Sequence, residues 1–571
     1  MPPLDNHNTT NSTNTVTILS DNNKHQDPPA GGLSLDKIEQ TSERDASIST
    51  QDQQPPADEE GPYPGASKLI LIVTSLNLAM FLVGLDNTIL SSAIPKITDQ
   101  FHALGDVGWY ASAYLLTNCS FQLIWGKLLT FYPTKWAYLS ALFIFELGSL
   151  ICGVAPTSTA LIIGRAIAGV GSGGVGTGSF ILVAQSVPRR QRPNLVGLVG
   201  AMYGFAAIAG PLMGGTFTDN PKLTWRWCFY INLPLGFFTA LVILFFVPSA
   251  KPARSFPLKE MTKQMDLPGT LCLLPGVVCL LLAFQWGGTK YAWSNGRVIA
   301  LLVLAGVLLV CFIAIQSRSG DRGTVPPRVF CNRNIWGSAL FGSCVTAAFF
   351  VMLYYIPIWF QAIKGATAIG SGLRCLPMIL GFVIFSFLGG SLTSFFGHYM
   401  PFVYLTVILM SVGSGLLTTL KVSSGSPEWI GYQFIFGAGV GFGLQVAFSA
   451  PQTALPMEDV PIGTAIIMFT ENLTAAVMVS VAQTAFTNQL VSNLRTYAPS
   501  VDSGKIFDAG ATGLKSQVPS SLYDTVIYAY NVSLAHTFYV GVGLSCCSIL
   551  GAVWMEWISV KAKKPESSKT A

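Results

Sequence analysis

Fourteen runs of about twenty mainly apolar residues, parted by short polar breaks, limit what this chain can fold into more than any motif does. About twenty residues at a rise of 1.5 Å each cross the roughly 30 Å hydrocarbon layer of a bilayer as a helix. The runs lie near 69–93, 108–130, 136–155, 158–185, 195–217, 229–248, 269–286, 297–316, 335–361, 371–394, 401–420, 428–450, 461–487 and 532–558. In lipid every backbone N–H and C=O must find its partner within the segment, so the expected fold class is an all-α membrane protein. Only 11% of residues are charged, against about a quarter in a soluble domain, so much of the surface faces lipid.

An even number of spans places both ends of the chain on one side. With that side taken as cytoplasmic, the inner loops and C-terminus hold seventeen Lys and Arg against eleven outside, which agrees with the positive-inside rule. Residues 1–66 carry eleven acidic and three basic residues in a Ser-, Thr-, Asn- and Pro-rich stretch, and are expected to be a disordered cytoplasmic tail. They contain no basic segment leading into an apolar one, hence no visible cleaved signal peptide. Sequons at Asn8 and Asn11 would face the cytoplasm, and the sequon at Asn531 lies close to a span.

Self-similarity divides the remainder. Arg165-Ala-Ile-Ala-Gly169-Val-Gly171-Ser-Gly173 in the fourth run matches Gln433-Phe-Ile-Phe-Gly437-Ala-Gly439-Val-Gly441 in the twelfth, at an offset of 268. Gly126-Lys-Leu-Leu-Thr-Phe-Tyr after the second run matches Gly390-Ser-Leu-Thr-Ser-Phe-Phe after the tenth, at 264. Two six-helix bundles in parallel orientation follow, 67–250 and 334–560, joined by a linker with two additional helices over 251–333 and followed by a basic tail, 561–571. Parallel halves around a midplane cavity are a transporter architecture.

Several motifs resemble the major facilitator superfamily, and within it the fourteen-span drug:proton antiporter branch of fungi. Leu85-Asp86-Asn87-Thr88-Ile89-Leu90 with Ala93-Ile94-Pro95 is similar to that branch's first-span signature, and Arg165 with its glycines to motif B. Gly210-Pro211-Leu212-Met213-Gly214-Gly215 is similar to the antiporter motif C. Thr224-Trp225-Arg226-Trp227 through Pro234, and Pro357-Ile358-Trp359-Phe360-Gln361, belong to the same branch. Gly126 through Lys135 resembles motif A, although Thr130 replaces the usual aspartate and Pro133 the frequent glycine. The resemblance implies a gating or hinge role for Gly210, Pro211, Gly214, Gly215, Gly126 and Lys135.

Ionisable residues inside a span cost several kcal/mol, so they mark a pathway or a pair. Asp86 and Arg165 come to similar depths, roughly 20–25 Å from the inner surface, where they can pair or share water. Glu146 and Glu471 lie near mid-depth, where a carboxylate suits reversible protonation. These four are the candidate proton-coupling residues. Tyr110, Tyr114, Gln122, Tyr354, Tyr355, Gln361, Gln433 and Gln445 are candidates for lining a substrate cavity, since aromatic surface with few polar groups suits amphipathic organic molecules.

No Walker lysine motif, metal-type histidine or cysteine spacing, or nucleophile–base set appears, so no cofactor beyond the proton gradient, no catalytic residue and no nucleic-acid partner are expected. The expectation is a monomeric secondary transporter, surrounded by lipid, that exchanges protons for small organic compounds such as drugs, toxins or secondary metabolites. The plasma membrane is favoured over the vacuolar one. A siderophore–proton symporter, a vacuolar amino-acid transporter and, in another class, a transporter-like sensor are the alternatives.

Overall fold

The computed structural model describes residues 63–103, 106–220, 222–249, 265–288, 290–501, 506, 518–519 and 521–561. The acidic N-terminal segment with Asn8 and Asn11, and nearly all of the basic C-terminal segment, lie outside them.

The first half contains α1 (Ala66–Thr88), α2 (Leu90–Phe101), α3 (Val107–Phe131), α4 (Thr134–Val154), α5 (Ser158–Ser186), α6 (Arg192–Asp219), α7 (Trp227–Tyr230) and α8 (Asn232–Phe246). Two helices follow, α9 (Leu267–Trp286) and α10 (Gly296–Ser319), then the short α11 (Pro327–Phe330). The second half contains α12 (Arg333–Lys364), α13 (Ala368–Arg374), α14 (Leu376–Phe396), α15 (Met400–Thr418), α16 (Ser426–Ala454), α17 (Val460–Tyr497) and α18 (Tyr523–Trp554).

Among the described residues, thirteen helical stretches are long and apolar enough to cross a membrane. The fourteenth expected span, α3, has the length at 25 residues but is too polar to qualify, because it carries Asn118, Gln122 and Lys127. It packs against α5, α9 and α17, where protein replaces lipid as its surroundings. The last span begins at Tyr523 rather than near 532, so Asn531 lies within a helix.

Packing repeats pair by pair. The contacts of α1 with α5, α6 and α8, of α5 with α3 and α4, and of α4 with α8 recur as α12 with α16, α17 and α18, α16 with α14 and α15, and α15 with α18. The matched glycines explain why. A Cβ at Gly169 would overlap the Tyr114 carbonyl of α3, and one at Gly437 the Met378 carbonyl of α14. One at Gly171 would overlap α4 at Phe145, and one at Gly439 would crowd Met410 of α15. Small residues thus bring the same helix pairs together twice.

The halves meet along two equivalent seams, α3 with α17 and α14 with α6. Gly126 lies against Pro461 and Ala465 in one seam, and Gly390 against Pro193 and Asn194 in the other. The additional helices α9 and α10 pair with each other and rest beside the first seam, through α3 and α17.

Candidate functional site

A cavity lined by residues of both bundles lies between the halves. Phe180, Tyr203, Phe349, Phe350, Phe382 and Phe448 give it aromatic walls; Asn87, Asn118, Gln122, Gln445 and Asn472 supply amides. Glu471 is the one charged side chain among its lining residues. Its mixed lining of rings and a few polar groups is of the kind that suits an amphipathic organic ligand. Leu115, one of the lining residues, is 42% exposed.

Around Phe180 and Phe448 the halves close on each other. Phe180 and Phe448 stack with ring centroids 4.4 Å apart and planes 16° from parallel. Gln452 Nε2 donates to the Phe180 carbonyl at 3.4 Å, and Arg192 donates to the Gln452 carbonyl at 3.2 Å. Arg189 donates to the Thr453 carbonyl, and Ser391 to Asn194 at 2.9 Å.

The segment after α10 straps the first seam at that end. Lys127 of α3, only 2% exposed, donates to the Arg322 carbonyl at 2.5 Å. Arg328 forms a two-pronged ion pair with Asp459, which immediately precedes α17, and a 2.9 Å bond to Asp321. Asp266, at the start of α9, accepts from Gln316 at 2.6 Å and from Thr324 N and Oγ1 at 2.8 Å. The strap therefore touches both halves and both additional helices.

Asp86 and Arg165 do pair, at 2.5 Å, but inside the first half. Arg165 Nε donates to the Tyr110 carbonyl at 2.8 Å, and its guanidinium lies 4.4 Å over the Tyr114 ring. Asn232 reaches Asp86 at 3.4 Å and Ser149 at 3.1 Å. In the second half Gln433 stands at the arginine's equivalent position and donates to the Arg374 carbonyl at 3.1 Å, so the ion pair belongs to one half only. Asp86 turns inward while its neighbour Asn87 faces the cavity. Glu146 lies between α4 and α8 against Gly236, and neither of its buried carboxylate oxygens has a hydrogen-bond partner. Of the four candidate coupling residues, only Glu471 lines the cavity.

Among the candidate lining residues, Gln122 and Gln445 are in the cavity wall. They make equivalent bonds with the glutamine exchanged between helices: Gln122 of α3 donates to Thr177 of α5 at 2.5 Å, and Gln445 of α16 to Ser386 of α14 at 2.7 Å. The other six are outside the wall. Tyr110 bonds Ser158 at 2.9 Å, Tyr114 lies beneath Arg165, and Tyr355 donates to Gln483 at 2.9 Å. Gln361 donates to Ser371 at 2.9 Å, Gln433 is fully buried, and Tyr354 is 49% exposed. The polar ends of Tyr110, Tyr355, Gln361 and Gln433 are drawn to partners within a half.

Sequence reasoning passed over Asn87, Asn118, Tyr203 and Asn472. Tyr203 could have been found from the repeat, because it is 268 residues before Glu471 and faces the same cavity.

Gly210 and Gly214 of α6 press on Thr88, Ile89 and Ser92, where α1 gives way to α2. Pro211 is accommodated within continuous α6, and nothing lies within 4 Å of the position a Cβ would take at Gly215. Lys135 donates to the Leu244 carbonyl at 2.6 Å.

Two parallel bundles enclosing an amphipathic cavity define a membrane transporter. The chain belongs to the Major Facilitator Superfamily, whose sequence profile matches residues 76–479. It is 52% identical over 501 residues to the MFS-type efflux pump MFS1 of Arthroderma benhamiae, covering 87% of this chain and 93% of that one. It is 47% identical over 536 residues to the efflux pump bfoC of Aspergillus brasiliensis, covering 92% and 95%. The crystal structure of the human organic anion transporter MFSD10 shares the fold, with a TM-score of 0.55 at 13% identity over 84% of this chain and 99% of that one. The protein is therefore an integral membrane transporter and not an enzyme.

Proposed function

We propose that this transporter exports small organic compounds by proton antiport. The observation that carries the reading is Glu471: a carboxylate 5% exposed, at the wall of a cavity otherwise lined by rings and amides, with Oε1 unpartnered. A group so placed can meet a proton and a substrate in turn. Relatives that are efflux pumps support the outward direction. The Lys and Arg bias supports cytoplasmic termini, which makes the strapped end the inner one and the described state outward-open. Release to the outside is the step for which that state is poised. The plasma membrane is the proposed location. One chain contains the whole cavity, which supports a monomer, and the proton gradient is the only energy source required.

Asp86, Arg165 and Glu146 are assigned to coupling through the first half, where a change in one carboxylate alters the packing of α1, α4 and α8. Gly210, Pro211, Gly214 and Gly215 are assigned to the hinge, and Gly126 and Lys135 to the inner gate. The test is efflux of a fluorescent substrate from cells of a pump-deficient yeast expressing the chain. Export should collapse when a protonophore is added and should be lost in Glu471→Gln. Export that persists without the gradient rules out proton coupling.

A further inference from the structure

Only Tyr132 and Pro133 join α3 to α4, yet the two helices touch little and lean on α5 instead. A Cβ at Gly174 of α5 would overlap the Trp125 ring of α3 and Ala141 of α4, and one at Gly178 would overlap Tyr138 of α4. The space left between α3 and α4 is a crevice lined by Trp125, Leu128 and Tyr132 on one helix and Trp136, Ala137 and Ser140 on the other. None of these six lines the cavity between the halves. Trp136 and Phe143 of α4 are 54% and 67% exposed, so in a membrane the crevice opens to lipid.

Its polar groups select among lipids. Trp125 Nε1 donates to the Val170 carbonyl at 2.7 Å, and Ser140 Oγ to the Ala137 carbonyl at 2.8 Å. The hydroxyl of Tyr132, at the turn, is the one lining hydroxyl without a protein partner among the described residues. No charged residue lines the crevice, and Lys135 nearby already donates to the Leu244 carbonyl at 2.6 Å. Tyr132 and Trp125 are seven residues apart, or about 10 Å along the helix.

An occupant matched to these walls is flat, rigid and apolar, with one neutral hydroxyl at the end nearest the turn. A lipid phosphate finds no cation among the lining residues. A flexible acyl chain gives up more conformational freedom on being held than a fused ring system does. Leu129-Thr-Phe-Tyr132-Pro-Thr-Lys135 also fits Leu-x2-Tyr-x2-Lys, a short pattern proposed for sterol contact that carries little by itself.

We propose that the crevice between α3 and α4 is a binding site for a membrane sterol, its rings against Trp125, Leu128 and Trp136 and its 3-hydroxyl on Tyr132. Gly126 and Lys127, turned to another side of α3, meet the second half and the strap, so a filled crevice backs α3 where it closes. The inference needs only that these helices lie in lipid, and it is independent of substrate, direction and coupling.

The test is photolabelling of the full chain in phosphatidylcholine nanodiscs by a 3β-hydroxysterol with a diazirine on its ring system, mapped by peptide mass spectrometry. Label should concentrate on residues 125–140. Excess unlabelled sterol should lower it about fivefold or more, and excess phosphatidylserine should not. Ser140→Trp, a change at an exposed position that fills the crevice, should remove the label from this stretch and leave other labelled peptides unchanged. Tyr132→Phe, which keeps the ring, should weaken labelling about threefold, and it carries the test if Ser140→Trp does not fold. Label spread evenly over the lipid-facing helices, equal competition by phosphatidylserine, or unchanged labelling in a folded Ser140→Trp or Tyr132→Phe overturns the proposal.

Discussion

Asp86 and Arg165 satisfy one another at 2.5 Å with neither side chain more than 1% exposed, within one bundle and not across the cavity. Removing one partner leaves an uncompensated buried charge, which costs about 3–5 kcal/mol, whereas replacing both removes the charge problem altogether. Arg165→Ala should therefore lower the thermal unfolding temperature of the purified protein. Asp86→Asn combined with Arg165→Gln, which copies the neutral arrangement at Gln433, should recover most of the loss. Each single substitution should also abolish transport while leaving membrane insertion intact. A single variant that melts with the wild type and transports fully would show that the pair holds nothing in place.

The Gly126 and Gly390 contacts predict equal consequences at the two seams. Valine at either position collides with the opposite half, at Ala465 or at the Pro193 carbonyl, so the strapped end cannot close. Gly126→Val and Gly390→Val should each reduce export about tenfold or more at normal expression. Hydrogen exchange at residues 186–194 and 452–462 should rise in both. Unchanged exchange would remove the glycines from the gate.

Arg328 and Asp459 are the strap's ionic contact with the second half. Arg328→Gln and Asp459→Asn should each speed hydrogen exchange around Asp459 and Lys127, because the strap loses its hold on α17 and its neighbour on α3 loosens with it. Exchanging the two charges, Arg328→Asp with Asp459→Arg, should restore part of the protection. If the singles exchange like the wild type, the strap does not hold this end.

Asn531 is a sequon that the fold withdraws from modification. It is 7% exposed, accepts from Trp359 Nε1 at 2.8 Å and donates to the Leu420 carbonyl at 3.1 Å. Treatment with an N-glycosidase should leave a variant lacking Asn8 and Asn11 unchanged in mobility. Asn531→Leu should cost about 1–3 kcal/mol by orphaning the Trp359 N–H. A glycan on Asn531 would require α18 to be unwound there.

The sequence made the repeat, the glycine contacts and the intramembrane charges legible, because each needs a rare residue type at a fixed spacing. The pairing of Asp86 with Arg165 was also within reach, since their depths agreed. Which tyrosine faces the cavity was not. In lipid both the core face and the outer face of a helix are apolar, so periodicity no longer says which way Tyr110, Tyr114 or Tyr355 turns. Neighbours show how fine the distinction is: Asp86 and Asn87 are about 100° apart around one helix, and that step separates bundle interior from cavity. The strap was illegible for another reason, as its contacts join Lys127 and Asp459 through backbone and side chains of a segment with no motif of its own.

Phe180 and Phe448 are 268 residues apart, the same interval that separates the repeated glycines, so the stacked rings are copies of one another. A residue can touch its own counterpart only on the rotation axis that relates them. Those two rings therefore mark where that axis runs through the protein, and they make the self-complementary contact expected where two identical half-length subunits dimerise. Widening one ring alone would unbalance a contact whose geometry depends on both being alike.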